Sequence, residues 1–300
     1  MWTRTQLASQ CALLVSIPLD QAEFVADVER GTDFLWTYTR AVRRTHMDEA
    51  WSRYAPYARL CDDVVRAVAS RGVHVIRRAT LPDVTDAIGR FPTVTLCAHA
   101  RGPDITEGDI VDPRLLVAAA PSMSEALGGV AAPPQGADAA VVARWLDEAL
   151  GPVDVQDGEM RSDMRAASWR SYEYRQRWQR RRIIEAMCPG ALAGGPALEL
   201  HDGFHPLDRL DAVIPACLRT LDLTVCDSVL LADLLRARRR SGVILANARP
   251  TTPDFRLLLY REAIGLVARH GISYEDAVIR LRRSLKVIRL GRALGRSGPQ

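Results

Sequence analysis

The fold of this chain is constrained most by a repeated order of short apolar runs and longer helix-patterned stretches. CALLVSIPL (residues 11–19), VHVIRRAT (73–80) and FPTVTLCAHARG (91–102) are short, apolar and bounded by proline, glycine or polar residues, as buried or half-buried strands are. Between them, residues 21–60 are helical in pattern and rich in aromatics. DDVVRAVASRG (62–72) ends on Gly72, a helix stop, and LPDVTDAIGR (81–90) carries Pro82 in its first turn. Strand, helix, strand, helix, strand is the rhythm of a parallel sheet covered by helices on both faces. The rhythm resumes with ALELHDGFHPLDRLDAVIP (197–215), read as a strand, a turn and a helix. RTLDLTVCDS (219–228), VLLADLLRARRR (229–240) and GVILANAR (242–249) continue it as strand, helix and strand. Two more helices are expected, 254–271 with Gly271 as its stop, and one from Ser273 as N-cap.

Residues 103–195 interrupt the order. GPDITEGDIVDP reads as loop and GGVAAPPQGAD (128–138) as linker; helices are predicted over 138–150 and 161–187. The expected organisation is therefore one α/β unit from 1–102 and 196–290, a helical insertion at 103–195, and a tail at 291–300. A break of this length is longer than ordinary connections. It leaves the chain just after His99 and carries Asp104, Glu107, Asp109 and Asp112 against a strongly basic helix. That suggests a segment that covers a cleft or receives an activating partner, beside the plainer reading of a passive surface subdomain.

Bulk composition excludes several classes. With 300 residues, 48% hydrophobic and 25% charged, the chain can bury a sizeable core. Its net charge of +4 is too mild to argue for nucleic acid. Arg165, Arg170, Arg175, Arg177, Arg180, Arg181 and Arg182 interleave with Trp169, Tyr172, Tyr174 and Trp178. That mixture suits single-stranded nucleic acid, but equally a surface helix packing its aromatics. No run approaches a membrane span, and the apolar stretch near the N-terminus reads as a first strand rather than a signal, so a cytoplasmic location is expected. The six cysteines form no CxxC pair and no disulfide-like framework. Cys11 and Cys97 fall inside strand patterns as small core residues. His201 and His205 flank an Asp-Gly turn rather than a helix, so no metal site is expected.

Two strands end on reactive groups: the 91–102 run delivers His99 and the 219–228 run delivers Cys226. In open α/β sheets ligand sites collect at the carboxyl ends of strands. A thiol beside an imidazole there is a nucleophile–base dyad.

The His99 strand, the LELHDGFHP segment with Asp202-Gly203, the TVCDS strand end and the GVILANAR strand together resemble a CHAT domain. That is the bacterial branch of the caspase–separase superfamily of cysteine peptidases. The resemblance covers about 10–100 and 196–285 and implies a caspase-like three-layer sandwich. It implies Cys226 as nucleophile, His99 as general base and acid, and backbone N–H groups of Cys226 and Ala100 as the oxyanion hole. The family carries glycine at the second donor, where this chain has Ala100. Members often select a charged P1 residue, which makes Asp20 and Asp227 candidate acids for a basic one; each is equally suited to capping a helix. No cofactor is implied. The implied partner is a protein substrate, such as a pore-forming gasdermin released in anti-phage defence. A non-catalytic caspase-like adaptor and a nucleic-acid sensor acting through the Arg/Trp helix are the competing classes.

Overall fold

A computed structural model describes residues 2–30, 47–101, 105, 107–127, 129–150, 177, 179–193, 195, 197–206, 210, 214, 219–224, 232, 242–246 and 253–293. Five strands form a parallel sheet: β1 (Cys11–Val15), β2 (His74–Arg77), β3 (Thr93–Cys97), β7 (Thr220–Thr224) and β8 (Val243–Leu245), in spatial order β2-β1-β3-β7-β8. Three short strands, β4 (His99–Arg101), β5 (Ala197–Leu200) and β6 (Gly203–Pro206), make a separate antiparallel sheet.

Helices flank the large sheet on both faces, and the pleat shows why. Alternate residues Ala12, Leu14, Val94 and Leu96 join Leu221 and Leu223 in one apolar cluster. Its cover includes Val84, Ala87 and Ile88 of α4 (Leu81–Arg90). The intervening residues Cys11, Leu13, Val15 and Cys97 face the other way. They pack on α3 (Met47–Ser70), α7 (Pro253–His270) and α8 (Tyr274–Ala293). Both faces of β1 and β3 are buried throughout, which is why these strands read as unbroken apolar runs rather than alternations. The remaining helices are α1 (Arg4–Gln10), α2 (Gln21–Arg30), α5 (Pro113–Ala126) and α6 (Ala139–Leu150).

Local signals operate as their chemistry requires. Gly72 stands at φ 103°, its N–H bonded to the Ala69 carbonyl; a Cβ there would meet the Arg4 carbonyl oxygen at 2.4 Å. Thr80 and Asp83 form a capping box ahead of Pro82. The Ser273 hydroxyl accepts the Asp276 N–H at the start of α8. A third apolar cluster draws only on residues between 105 and 191, among them Leu116, Met123, Trp145, Leu146 and Ile184.

Helix α1 has no counterpart in the sequence pattern, α3 runs on through the helix expected separately over 62–72, and three further elements differ. The predicted strand over 91–102 divides at Ala98. β3 stays in the large sheet until Cys97, whose carbonyl accepts the Ser16 N–H at 2.8 Å; β1 has ended, and Pro18 carries no donor to extend it. Residues 99–101 then pair with β5 instead. The helix predicted directly after the Asp202-Gly203 turn is preceded by β6, because Gly203 at φ 125° folds the chain back on β5. Helix α5 lies in a stretch whose Pro113 and Pro121 resemble breakers. Pro113 occupies the first turn, where no N–H is missed, and Asp112 caps the helix by accepting the Arg114 N–H. The predicted helix at 229–240 and most of that at 161–187 lie outside the described residues.

Candidate active site

In the order β2-β1-β3-β7-β8 the chain winds first to one side of β1 and then to the other, so the crevice beside the carboxyl ends of β1 and β3 is the natural ligand position. His99 stands at this edge. It opens β4, is half-buried, and faces Glu199 of β5 in the antiparallel ladder. Ala100 follows, opposite Leu198. Arg78 is the one non-glycine residue with positive φ among the described residues. Ala100 therefore lies in ordinary strand backbone, where alanine in place of glycine brings no strain. β3 pairs in parallel with β7, Cys97 opposite Thr224. Cys226 and Asp227 follow β7 and lie outside the described residues, so the structure reports nothing on either side chain.

Asp20 is committed locally. One carboxylate oxygen accepts the Glu23 N–H at 2.9 Å at the start of α2, and the other lies 3.5 Å from Arg77. Arg77 also meets Glu23 at 3.4 Å and Asp62 at 3.3 Å. Asp20 thus caps α2, and the single Arg77 cation is shared among Asp20, Glu23 and Asp62. Sequence reasoning did not single out this cluster, since Asp20, Asp62 and Arg77 are dispersed along the chain.

The turn between β5 and β6 is fastened to the same edge. Nε2 of His201 accepts from Arg78 at 2.9–3.1 Å, which leaves the ring proton on Nδ1, 4.0 Å from the buried Asp27. The His201 N–H bonds the Ala79 carbonyl at 2.9 Å. Arg78 holds φ 52°, a conformation costly for a side chain of this size. Asp202 accepts from the Leu81 N–H at the start of α4 and from Nε2 of His205 at 2.8 Å.

Desolvation would raise the Asp202 pKa, but the hydrogen bonds from His205 and Leu81 and the His205 charge outweigh it and hold the carboxyl below its ordinary 3.8. A depressed folded pKa means stabilisation that is present above the unfolded value and lost as pH falls through the folded one. Asp202→Asn is therefore expected to flatten the acid-side fall in the urea midpoint measured between pH 6 and pH 2. An acid limb identical to wild type would show that this carboxylate does not contribute.

The remaining sequence candidates resolve as follows. Three arginines of the basic helix make contacts within residues 147–193. Arg181 is fully buried, bonded to Glu185 at 2.9 Å and to the Ala193 carbonyl at 3.2 Å. Arg180 donates to the Ala149 carbonyl, and Arg177 lies 3.5 Å from Asp147. Trp169, Tyr172, Tyr174 and Trp178 lie outside the described residues. Cys11, Cys61, Cys97 and Cys188 are buried; desolvation first, then a nearby acid, pushes the Cys11 and Cys61 thiols up to about 12. Such thiols are poor nucleophiles near neutrality. Among the described residues no three His, Cys, Asp or Glu side chains are grouped as a metal site requires, and no helix is long and apolar enough to cross a membrane. A surface depression of about 440 Å³ beside Arg4, Gly72 and His74 lies at the amino end of β2, the opposite edge from His99.

These features define a mixed α/β protein with a parallel five-stranded sheet flanked by helices and a small antiparallel sheet at its carboxyl edge. The chain matches no protein-family model, and neither a curated protein nor a solved structure is significantly similar to it.

Proposed function

We propose that this chain is a caspase-like cysteine endopeptidase of the CHAT kind, with Cys226 as nucleophile and His99 as general base and then acid. The observation that carries the reading is the parallel pairing of β3 with β7, Cys97 opposite Thr224. His99 and Cys226 each follow those paired positions by two residues. Neighbouring strands run about 4.8 Å apart, and two residues of chain reach at most about 7 Å. Both residues therefore follow closely on the carboxyl ends of neighbouring parallel strands, which is what a nucleophile–base dyad requires of the chain. In the proposed reaction His99 takes the Cys226 thiol proton and the thiolate attacks the scissile carbonyl. The N–H groups of Cys226 and Ala100 hold the oxyanion, and His99 returns the proton to the leaving amine. Water, deprotonated by His99, then hydrolyses the acyl-enzyme.

As a selector of a basic P1 residue Asp20 is shared with Arg77 and the Glu23 N–H, whereas Asp227 adjoins the nucleophile in sequence. The substrate is a protein in the cytoplasm, in this reading a pore-forming effector in anti-phage defence, and the activating partner docks on the insertion at 103–195. Arg181 is buried and paired, and the half-buried Arg180 and Arg177 meet the Ala149 carbonyl and Asp147; these internal contacts favour this reading over a nucleic-acid sensor.

Purified wild type and Cys226→Ala are compared on a panel of fluorogenic peptides with arginine, lysine or aspartate at P1, and by co-expression with neighbouring gene products. The expected result is cleavage in the wild type that drops by about 10³-fold or more in the variant. Equal rates in the two proteins, or no cleavage in either assay with a folded wild type, would sink the peptidase reading and favour the adaptor.

A further inference from the structure

We infer that Glu199 is the positioning residue of His99: its carboxylate orients the imidazole and stabilises its protonated form. The inference rests on the peptidase reading for its consequence in catalysis, but not for the pairing itself. In the β4–β5 ladder Glu199 stands directly opposite His99, and in the β5–β6 ladder Phe204 stands opposite Glu199. Directly opposed residues of an antiparallel pair project from the same face with Cβ atoms about 4.5–5.5 Å apart. One row therefore runs imidazole, carboxylate, aromatic ring across the small sheet.

Burial separates Glu199 from an ordinary surface acid. Its neighbours Leu198 and Leu200 enter the apolar core on one face, so Glu199 projects from the other, yet it is only 4% exposed. A carboxylate withdrawn from water is tolerated when a cation or donors compensate it, and the side chain that the register sets against it is an imidazole. Within the three strands Glu199 is the one carboxylate. His205 falls opposite Leu198 on the reverse face and is bonded to Asp202. Arg101, two positions along β4, stands opposite Ala197 rather than Glu199.

A carboxylate accepting one ring N–H leaves the other ring nitrogen with its lone pair free for a thiol proton. It also favours the imidazolium that forms when the proton arrives. The thiol proton moves from Sγ to that nitrogen while Glu199 remains ionised. Phe204, 41% exposed, closes the row on the side of Glu199 away from His99.

The test uses ring-¹⁵N NMR of the full chain labelled in histidine, in a Cys226→Ala background so that no thiolate perturbs the titration. Wild-type Glu199 should give a His99 pKa above the ordinary ~6.5 and a single dominant tautomer. Glu199→Gln should lower that pKa by about one unit and mix the tautomers; Glu199→Asp should restore part of both. With Cys226 present, Glu199→Gln should lower kcat by about 10²-fold with KM little changed, and move the acid limb of the rate profile with the ring pKa. A His99 ring at or below the ordinary pKa with Glu199 intact overturns the inference, even if Glu199→Gln fails to fold. So does an unchanged titration in a folded Gln variant. If peptide cleavage survives Cys226→Ala, the peptidase reading fails instead, and the ring titration still decides the pair.

Discussion

Asp222→Ala is expected to destabilise the protein by about 3–5 kcal/mol, enough to unfold many domains of ordinary stability. Asp222 sits in the middle of β7 and is 5% exposed. Leu221 and Leu223 on either side face one apolar cluster, so Asp222 projects to the opposite face, beneath α7 and α8. There it accepts the Tyr274 hydroxyl at 2.5 Å and lies 3.7 Å from Arg256, itself buried. Thr95 of β3 reaches the same Tyr274 hydroxyl at 3.5 Å, and Thr220 bonds Glu275. Removing the acid leaves a guanidinium in an apolar layer with its principal counter-charge gone, which costs more than the pair contributes. Desolvation already lowers the Arg256 pKa, with Asp222 working against it. Urea denaturation of wild type, Asp222→Ala and the double variant Asp222→Leu/Arg256→Met separates the effects. The double variant should recover most of the loss, because both charges leave together. A fall below about 1 kcal/mol in the single variant would show that Arg256 finds compensation elsewhere.

His99→Ala should lower peptide cleavage by about 10²–10⁴-fold, the usual worth of a positioned general base. The substitution also removes the imidazole set opposite the buried Glu199, so a lower melting temperature should accompany the loss of cleavage. Thiol labelling gives a readout independent of any substrate. Cys11 and Cys61 stay protonated with pKa values near 12, so brief iodoacetamide treatment at pH 7 should single out a thiolate held by an imidazole. Labelling of Cys226 should be fast in wild type and slower by tenfold or more in His99→Ala. Added imidazole should recover part of the cleavage. A Cys226 that labels at the same rate in both proteins would mean that His99 does not activate it.

Much of the scaffold was legible because the forces that set it act over a few residues. The apolar runs at 11–15 and 93–97, the stops at Gly72 and Gly271, Pro82 in a first turn and the Ser273 cap are all local, and all appear in the structure. Helix α5 was missed for a local reason as well: Pro113 suits a first turn, and apolar residues on both sides of Pro121 outweigh the donor it lacks. That His99 comes near the carboxyl edge was legible, because the apolar run stops just before it; that the parallel strand ends at Cys97 and His99 opens β4 was not. Nor were its neighbours. Glu199 lies one hundred residues away in sequence, and nothing in ALELHDG marks that acid as the partner of any particular histidine.

The sequence alone determined most element types, the parallel character of the large sheet, and the burial of Cys11 and Cys97. Periodicity and capping encode these within single segments. Tertiary structure alone decided the order β2-β1-β3-β7-β8, the departure of His99 into a second sheet, the engagement of Asp20 with Arg77, and the Asp222–Tyr274–Arg256 group under the sheet. Each of these joins segments far apart in the chain. Their registers are set by which backbone donors and buried charges find partners once the layers have packed, and no local pattern carries that information.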